Sequence, residues 1–435
     1  MSFEHDISRC FSETIGEAGL DRSAFEPVLA QTADSLAELR EVREKSGLPL
    51  LELPRARDDL IQPAAVAERL RRSSDQVVLL GTGGSSLGGQ TLAALAESPF
   101  GPRAGRPNLH FLDNIDPATF EALLDTLDLS RTGFLVVSKS GGTAETLMQF
   151  LTLLPEVQRK LGGERASERF AVITEPHANP LRRIAQRHGI EILDHDPGVG
   201  GRYSALSLVG LLPAMIAGLD PLAIRQGAAE VLERALTGNP ADSQPAIGAA
   251  LNVALLWQKR LCTTVLMPYI DALAPFGLWF RQLWAESLGK DGTGSTPIRA
   301  MGTVDQHSQL QLYLAGPADK FYTLILAAQA GKGARVAPEL AEDQALSYLA
   351  GRTMGDLLEA EQRATLETLA ANGRPVRTLV LPRLDERAMG ALMMHFMLET
   401  IIAADLLGVN PFDQPAVEEG KRLAREHLSG MAGKK

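Results

Sequence analysis

The 435-residue chain holds 43 Lys and Arg against 53 Asp and Glu, a net charge of −10, with 45% hydrophobic residues and two cysteines, Cys10 and Cys262. The acidic balance argues against non-specific nucleic-acid binding, and the cysteine count excludes a disulfide framework or a cysteine-built zinc site. With no leader pattern and no apolar run expected to reach membrane-spanning length, the chain reads as a cytoplasmic protein of roughly two to four domains, with no membrane partner.

Residues 1–45 read as polar helices, with Leu36, Leu39 and Val42 on one spacing, and form an N-terminal helical region of accessory character. Apolar runs at 77–80, 109–112, 134–137, 170–173 and 190–193 then alternate with helical stretches. That alternation predicts a parallel sheet covered by helices on both faces, within a first domain over 46–238. Residues 204–218 are nearly all apolar or small, as in a buried helix, and Gly238-Asn239-Pro240 punctuates a boundary. A second α/β unit, over 239–408, has weaker strand candidates at 263–267, 322–326 and 378–381. The remainder, 409–435, reads as a helix beginning near Pro415 and a frayed tail from Ser429 to Lys435.

The stretch Gly81-Thr82-Gly83-Gly84-Ser85-Ser86-Leu87-Gly88-Gly89-Gln90 follows the first strand, so a dinucleotide loop with Asp113 as the ribose acid has to be weighed. Ser86 stands where the fingerprint needs its third glycine, which favours a sugar- or phosphate-contacting loop, or a plain turn. No Walker motif is present, since Gly289-Lys290 is followed by Asp291 and Gly331-Lys332 by Gly333. The most informative stretch is Ser138-Lys139-Ser140-Gly141-Gly142-Thr143-Ala144-Glu145-Thr146, where hydroxyls, a cation and two glycines join a strand to a helix. A helix start offers unpaired N–H groups and roughly +0.5 of a charge, so the combination forms an anion cradle. Singly, each Ser or Thr also fits a plain N-cap and each Gly a turn.

Gly198-Val199-Gly200-Gly201-Arg202-Tyr203-Ser204 sets an arginine after glycines that let backbone approach a ligand. Arg202 suits either a developing oxyanion or a plain surface loop. Residues 278–290 read as one helix with Gln282, Glu286 and Lys290 on a shared face. Its Trp neighbours would raise the Glu286 pKa toward that of a base near neutrality; alternatively, Glu286 and Lys290 form a surface pair. The polar, Gly-punctuated stretches 292–297 and 302–308 include His307, which has no partner at metal-binding spacing. Lys421, among Glu418, Glu419, Arg422 and Arg425, reads alone as part of a solvated face.

Taken in order, Gly83-Gly84-Ser85-Ser86-Leu87-Gly88, residues 138–146, Gly200-Gly201-Arg202-Tyr203-Ser204, Leu283-Trp284-Ala285-Glu286-Ser287-Leu288-Gly289-Lys290, Gln306-His307-Ser308 and Gly420-Lys421 resemble the glucose-6-phosphate isomerase (phosphoglucose isomerase) family, in its compact bacterial branch. The resemblance implies an α/β fold of two sugar-isomerase domains, each a mainly parallel sheet flanked by helices, with helical N- and C-terminal extensions. It implies a sugar-phosphate substrate, an active site between the domains, and a homodimer in which the neighbouring subunit supplies the histidine. Ser138, Ser140 and Thr143 would hold the phosphate with Lys139 alongside, and Gly84, Ser85 and Gly201 would line the sugar. Arg202 would face the reacting carbons, Glu286 would carry a proton between C2 and C1, and His307 and Lys421 would open the ring. Gln282, Glu145 and Gln414 are implied as further contacts.

Such chemistry needs a carboxylate and a cation to form and stabilise an enediolate, and no metal or redox cofactor is required. Competing readings are a non-catalytic sugar-phosphate-binding regulator, an isomerase of another hexose phosphate such as mannose 6-phosphate, and an NAD-dependent dehydrogenase resting on the first glycine loop alone. Glu286, His307 and Lys421 together favour an isomerase, because a binding module needs none of them.

Overall fold

The computed structural model describes residues 3–98, 100–102 and 105–431. Two five-stranded sheets carry the fold. In the first, the spatial order is Asn108–Leu112, Gln76–Leu80, Thr132–Val137, Phe170–Thr174, Glu191–Asp194, all parallel. Both of its faces are covered, which is why its central strands are continuous apolar runs rather than alternating ones. Phe134 and Val136 pack with Phe150, Leu153 and Val157 of helix Ala144–Leu161. Leu135 and Val137 belong to the opposite core, with Leu70, Leu92 and Leu212.

The second sheet runs Glu4–Asp6, Val376–Leu381, Lys320–Ala327, Thr263–Pro268, Thr296–Arg299, parallel apart from its first strand. Counting strands in chain order within each βα unit, both sheets place the second beside the first, then the third and fourth. The halves therefore share a topology, and the amino-terminal strand takes the edge that Glu191–Asp194 holds in the first sheet.

Three differences from the sequence reading have physical causes. Residues 1–45 are not all helical: Glu4–Asp6 is an antiparallel edge strand, and Arg22–Glu44 packs against helices Gln244–Lys259 and Glu386–Leu406. The strand Thr296–Arg299 is also absent from that reading; edge strands gain order from pairing with one neighbour and need little burial, so their sequences carry weak signals. Helix Glu386–Leu406 is long and apolar enough to cross a membrane, contrary to the expectation that no run reaches that length. It is a core helix, 89% buried over its apolar window. The frayed tail is helical through Met431, and its last four residues lie outside the described residues.

That core helix holds charges. Arg377 donates from Nη2 to Glu399 Oε1 at 2.7 Å and from Nη1 to Oε2 at 3.0 Å, and Asn252 Nδ2 donates to Glu399 Oε1 at 2.9 Å. His395 Nε2 lies 2.9 Å from the same carboxylate. Burial pushes the Glu399 pKa up, but Arg377 and His395 outweigh it and leave the carboxyl below its ordinary value.

His195 and His395 are both buried, and burial lowers both imidazoles below 6.5, against the opposing pull of the Asp196 carbonyl and Glu399 respectively. Below that pH the unfolded chain takes up protons that the folded chain refuses, so stability falls with acid. The urea midpoint is expected to be flat above about pH 7 and to decline steadily from about pH 6.5 downward. An unchanged midpoint across that range would contradict neutral burial of these side chains.

Candidate active site

In a parallel sheet, ligands gather beyond the carboxyl ends of the strands, where loops and helix starts converge. Four loops of the first sheet meet there. The first glycine loop follows Gln76–Leu80, and Gly83 takes a positive φ of 57°. A Cβ on Gly84 would sit 2.3 Å from the Gly201 carbonyl carbon, so these two backbones touch and only glycine fits. Ser204 Oγ lies 2.7 Å from the Gly201 carbonyl oxygen and 3.1 Å from that of Gly84, against both sides of the contact. The glycines serve close approach between this chain's own backbone segments, and Asp113 accepts from Gln90 Nε2 at 2.8 Å.

The second loop, 138–143, opens helix Ala144–Leu161. Thr143 sits at the N-cap position without capping: its hydroxyl accepts from Ser138 Oγ at 3.0 Å instead. The helix start therefore keeps its N–H groups without a side-chain cap, while Ser140 Oγ accepts from Gly142 N at 3.3 Å. Gly141, at φ 61°, lies where a Cβ would fall 1.8 Å from Asn179 Oδ1. Asn179 is buried and donates to Thr174 Oγ1, Glu175 O and His177 O, so it fixes its own turn, against which Gly141 packs. Lys139 turns sideways: its Nζ donates to Pro197 O at 3.0 Å and lies 3.6 Å from Glu175. It ties this loop to the one bearing Arg202. Glu145 is exposed in the first helical turn.

The corresponding loop of the second sheet, after Lys320–Ala327, is already filled. Gln329 N and Ala330 N donate to Glu359 Oε2, each at 2.9 Å, and Gly331 N donates to Asp356 Oδ1 at 2.8 Å. Backbone bonds from Thr353 and Gly331 hold the Asp356 carboxyl, and those from Gln329 and Ala330 the Glu359 carboxyl, below their ordinary pKa. Built-in carboxylates occupy donors of the kind that an anion would use, so this loop is not a second open cradle.

Arg202 is the centre of the site. It is 5% exposed and reaches across to helix Ala274–Leu288 and to residues 411–414. Its Nη1 lies 3.3 Å from Glu286 Oε2 and donates to Gln414 Oε1 at 3.0 Å. Gln282 Nε2 donates to the other Glu286 oxygen at 3.0 Å and also faces Gly83. The Glu286–Lys290 surface pair does not form. Lys290 is drawn to Asn410 O and to Asp413 Oδ1, the latter at 2.9 Å.

The structure thus brings Gly84, Gly201, Arg202, Gln282, Glu286 and Gln414 together, with Ser138, Ser140 and Thr143 on the loop at the carboxyl end of the first sheet's central strand. Two sequence candidates stand apart. His307 is exposed, and Lys421 pairs with Glu418 at 2.6 Å on a helix, Glu418–Met431, that buries no residue. Sequence reasoning gave no role to Asn179 or Ser287. For Asn179 the signal was legible, because Asn before Pro180 is an N-cap with proline at the first helical position.

The family model described as phosphoglucose isomerase matches residues 67–434. A glucose-6-phosphate isomerase of Rubrobacter xylanophilus is 42% identical over 377 residues, covering 86% of this chain and 87% of that protein. A crystal structure described as a hypothetical protein from Thermus thermophilus superposes with a TM-score of 0.86 at 36% identity, covering 98% of this chain and 99% of that one. The crystal structure of a glucose-6-phosphate isomerase from Chlamydia trachomatis shares the fold, with a TM-score of 0.79 at 22% identity, over 98% and 92% of the two chains. Through the extent of the family match and the similarity of these relatives, the chain belongs to the phosphoglucose isomerase family.

Proposed function

We propose that this chain is an aldose–ketose isomerase that interconverts glucose 6-phosphate and fructose 6-phosphate, a step of glycolysis and gluconeogenesis. The observation that carries this reading is a buried guanidinium 3.3 Å from a carboxylate, beside an uncapped helix start lined with hydroxyls. The phosphate sits on Ser138, Ser140, Thr143 and the first N–H groups of helix Ala144–Leu161, remote from the reacting carbons, and supplies orientation. Glu286 takes the proton from C2 and returns it at C1, while Arg202 meets the negative charge that develops on the enediolate oxygens. His307 and Lys421 open the sugar ring before that transfer. Gly84, Ser85 and Gly201 line the sugar, with Gln282, Glu145 and Gln414 at its edges. The test is conversion of fructose 6-phosphate by the purified chain in a coupled assay: glucose 6-phosphate forms, and its absence would sink the reading.

The working unit is read as a cytoplasmic homodimer with shared sites. Support comes from His307, exposed on a segment whose neighbours Val304 and Leu312 are 69% and 50% exposed. Mixing inactive His307→Ala and Glu286→Gln proteins, with subunit exchange, should yield hybrids holding one intact site. Random exchange makes about half the dimers hybrid, so recovery near roughly one quarter of wild-type activity is expected. No recovery despite demonstrated exchange would put both residues in one subunit's site.

A further inference from the structure

Arginine has five N–H donors, and in Arg202 every one is assigned. Nη1 serves Glu286 Oε2 and Gln414 Oε1, and Nη2 serves Pro411 O at 2.5 Å and Asp413 O at 2.8 Å. Nε donates to Ser287 Oγ at 2.9 Å. The Tyr203 hydroxyl lies 3.0 Å from the same Ser287 Oγ and donates to Pro411 O at 3.5 Å. Either hydroxyl can be the donor in the Ser287–Tyr203 contact, and the Tyr203–Pro411 contact is the longest of the set. A closed ring results: guanidinium, Ser287, Tyr203, Pro411 and back to the guanidinium.

This ring sits in dry surroundings. Ser287 is 0% and Tyr203 1% exposed, and the Tyr203 ring packs on Phe412 with centroids 5.4 Å apart. Burial pushes the tyrosyl pKa up to about 12, so the hydroxyl stays a donor. A guanidinium turns freely about its long side chain unless two of its edges are held. Here Nε and Nη2 are held by the ring, which leaves Nη1 directed at Glu286. Ser287 is also the residue after Glu286 on the same helix, so the ring fixes the cation relative to the turn that carries the carboxylate.

We propose that Tyr203 and Ser287 are positioning residues for Arg202, their hydroxyls forming with the Pro411 carbonyl the frame that aims the guanidinium at the reacting carbons; this rests on the isomerase reading above. Neither side chain touches substrate in this account. Their loss should act on the transition state and spare ground-state binding.

The test compares Tyr203→Phe, which keeps the ring packing, with Ser287→Ala. In each, turnover should fall by about ten-fold or more while KM stays within about two-fold. Affinity for arabinonic acid 5-phosphate, whose carboxylate imitates the enediolate, should fall in parallel with turnover. Affinity for sorbitol 6-phosphate, which lacks that charge, should hold. In an Arg202→Lys background, Tyr203→Phe should cost nothing further, because there is no fork left to aim. Wild-type turnover in both single variants, equal loss of affinity for the two ligands, or a full further loss in the Arg202→Lys background would each overturn the proposal. An inactive wild-type chain would instead remove the isomerase reading on which it rests.

Discussion

Replacing Glu286 with Gln should lower isomerase turnover by at least the ~10²–10⁴-fold that accompanies loss of a general base. Gln has nearly the shape of Glu and still accepts a bond from Gln282 Nε2, now 3.0 Å away, but it cannot carry a proton between two carbons. The surrounding frame survives the change. Arg202 keeps Ser287, Gln414 and the carbonyls of Pro411 and Asp413, and the cradle at 138–143 lies on a separate loop. Binding of arabinonic acid 5-phosphate should therefore persist within a few-fold while conversion nearly stops. Steady-state kinetics, equilibrium binding and thermal unfolding on the same preparation check the three parts. Turnover within a few-fold of wild type would assign proton transfer to another group.

The largest stability effect is expected from Glu399→Gln. Arg377 and Glu399 are 1% and 0% exposed, and removing one member of such a pair leaves an uncompensated charge, at about 3–5 kcal/mol. A Cβ on Gly248 would lie 2.2 Å from Glu399 Oε2, so helix Gln244–Lys259 closes tightly over the pair and water has no easy entry. A double replacement, Arg377→Met with Glu399→Leu, should recover most of the loss, since apolar side chains of similar size often match a buried ion pair. Urea unfolding measures both. A single-variant loss under about 1 kcal/mol, or a double variant worse than the single, would contradict this account of the pair. The consequence reaches the site, because helix Glu386–Leu406 ends shortly before the 411–414 segment that Arg202 holds.

Legibility in the sequence followed how local the cause was. The central strands of the first sheet were readable because both faces are buried and their composition alone reports it, as in Phe134 to Val137. The edge strands Glu4–Asp6 and Thr296–Arg299 were not, since pairing rather than burial holds them. Loop chemistry at 138–143 was visible as hydroxyls and glycines, yet the sideways turn of Lys139 depends on Glu175 and Pro197, which are distant in sequence. Whether Glu286 pairs with Lys290 was open from one helix alone. Asp413, more than a hundred residues away, draws the lysine off, and Arg202 lies beside Glu286 instead. Ser287 carried no signal at all, because a buried serine on an apolar helix face gains its meaning from Arg202 and Tyr203 alone.

The central claim is that Glu286 moves a proton between two carbons of a bound sugar phosphate, and solvent isotope incorporation tests it most directly. Fructose 6-phosphate incubated with the purified chain in deuterium oxide should give glucose 6-phosphate carrying deuterium at C2, because a carboxylate exchanges its proton with solvent during some turnovers. With Glu286→Gln at the same concentration, both the product and the label should nearly vanish. Glucose 6-phosphate that forms at wild-type rate in the Glu286→Gln variant, or that never carries deuterium with the wild-type chain, would contradict the account.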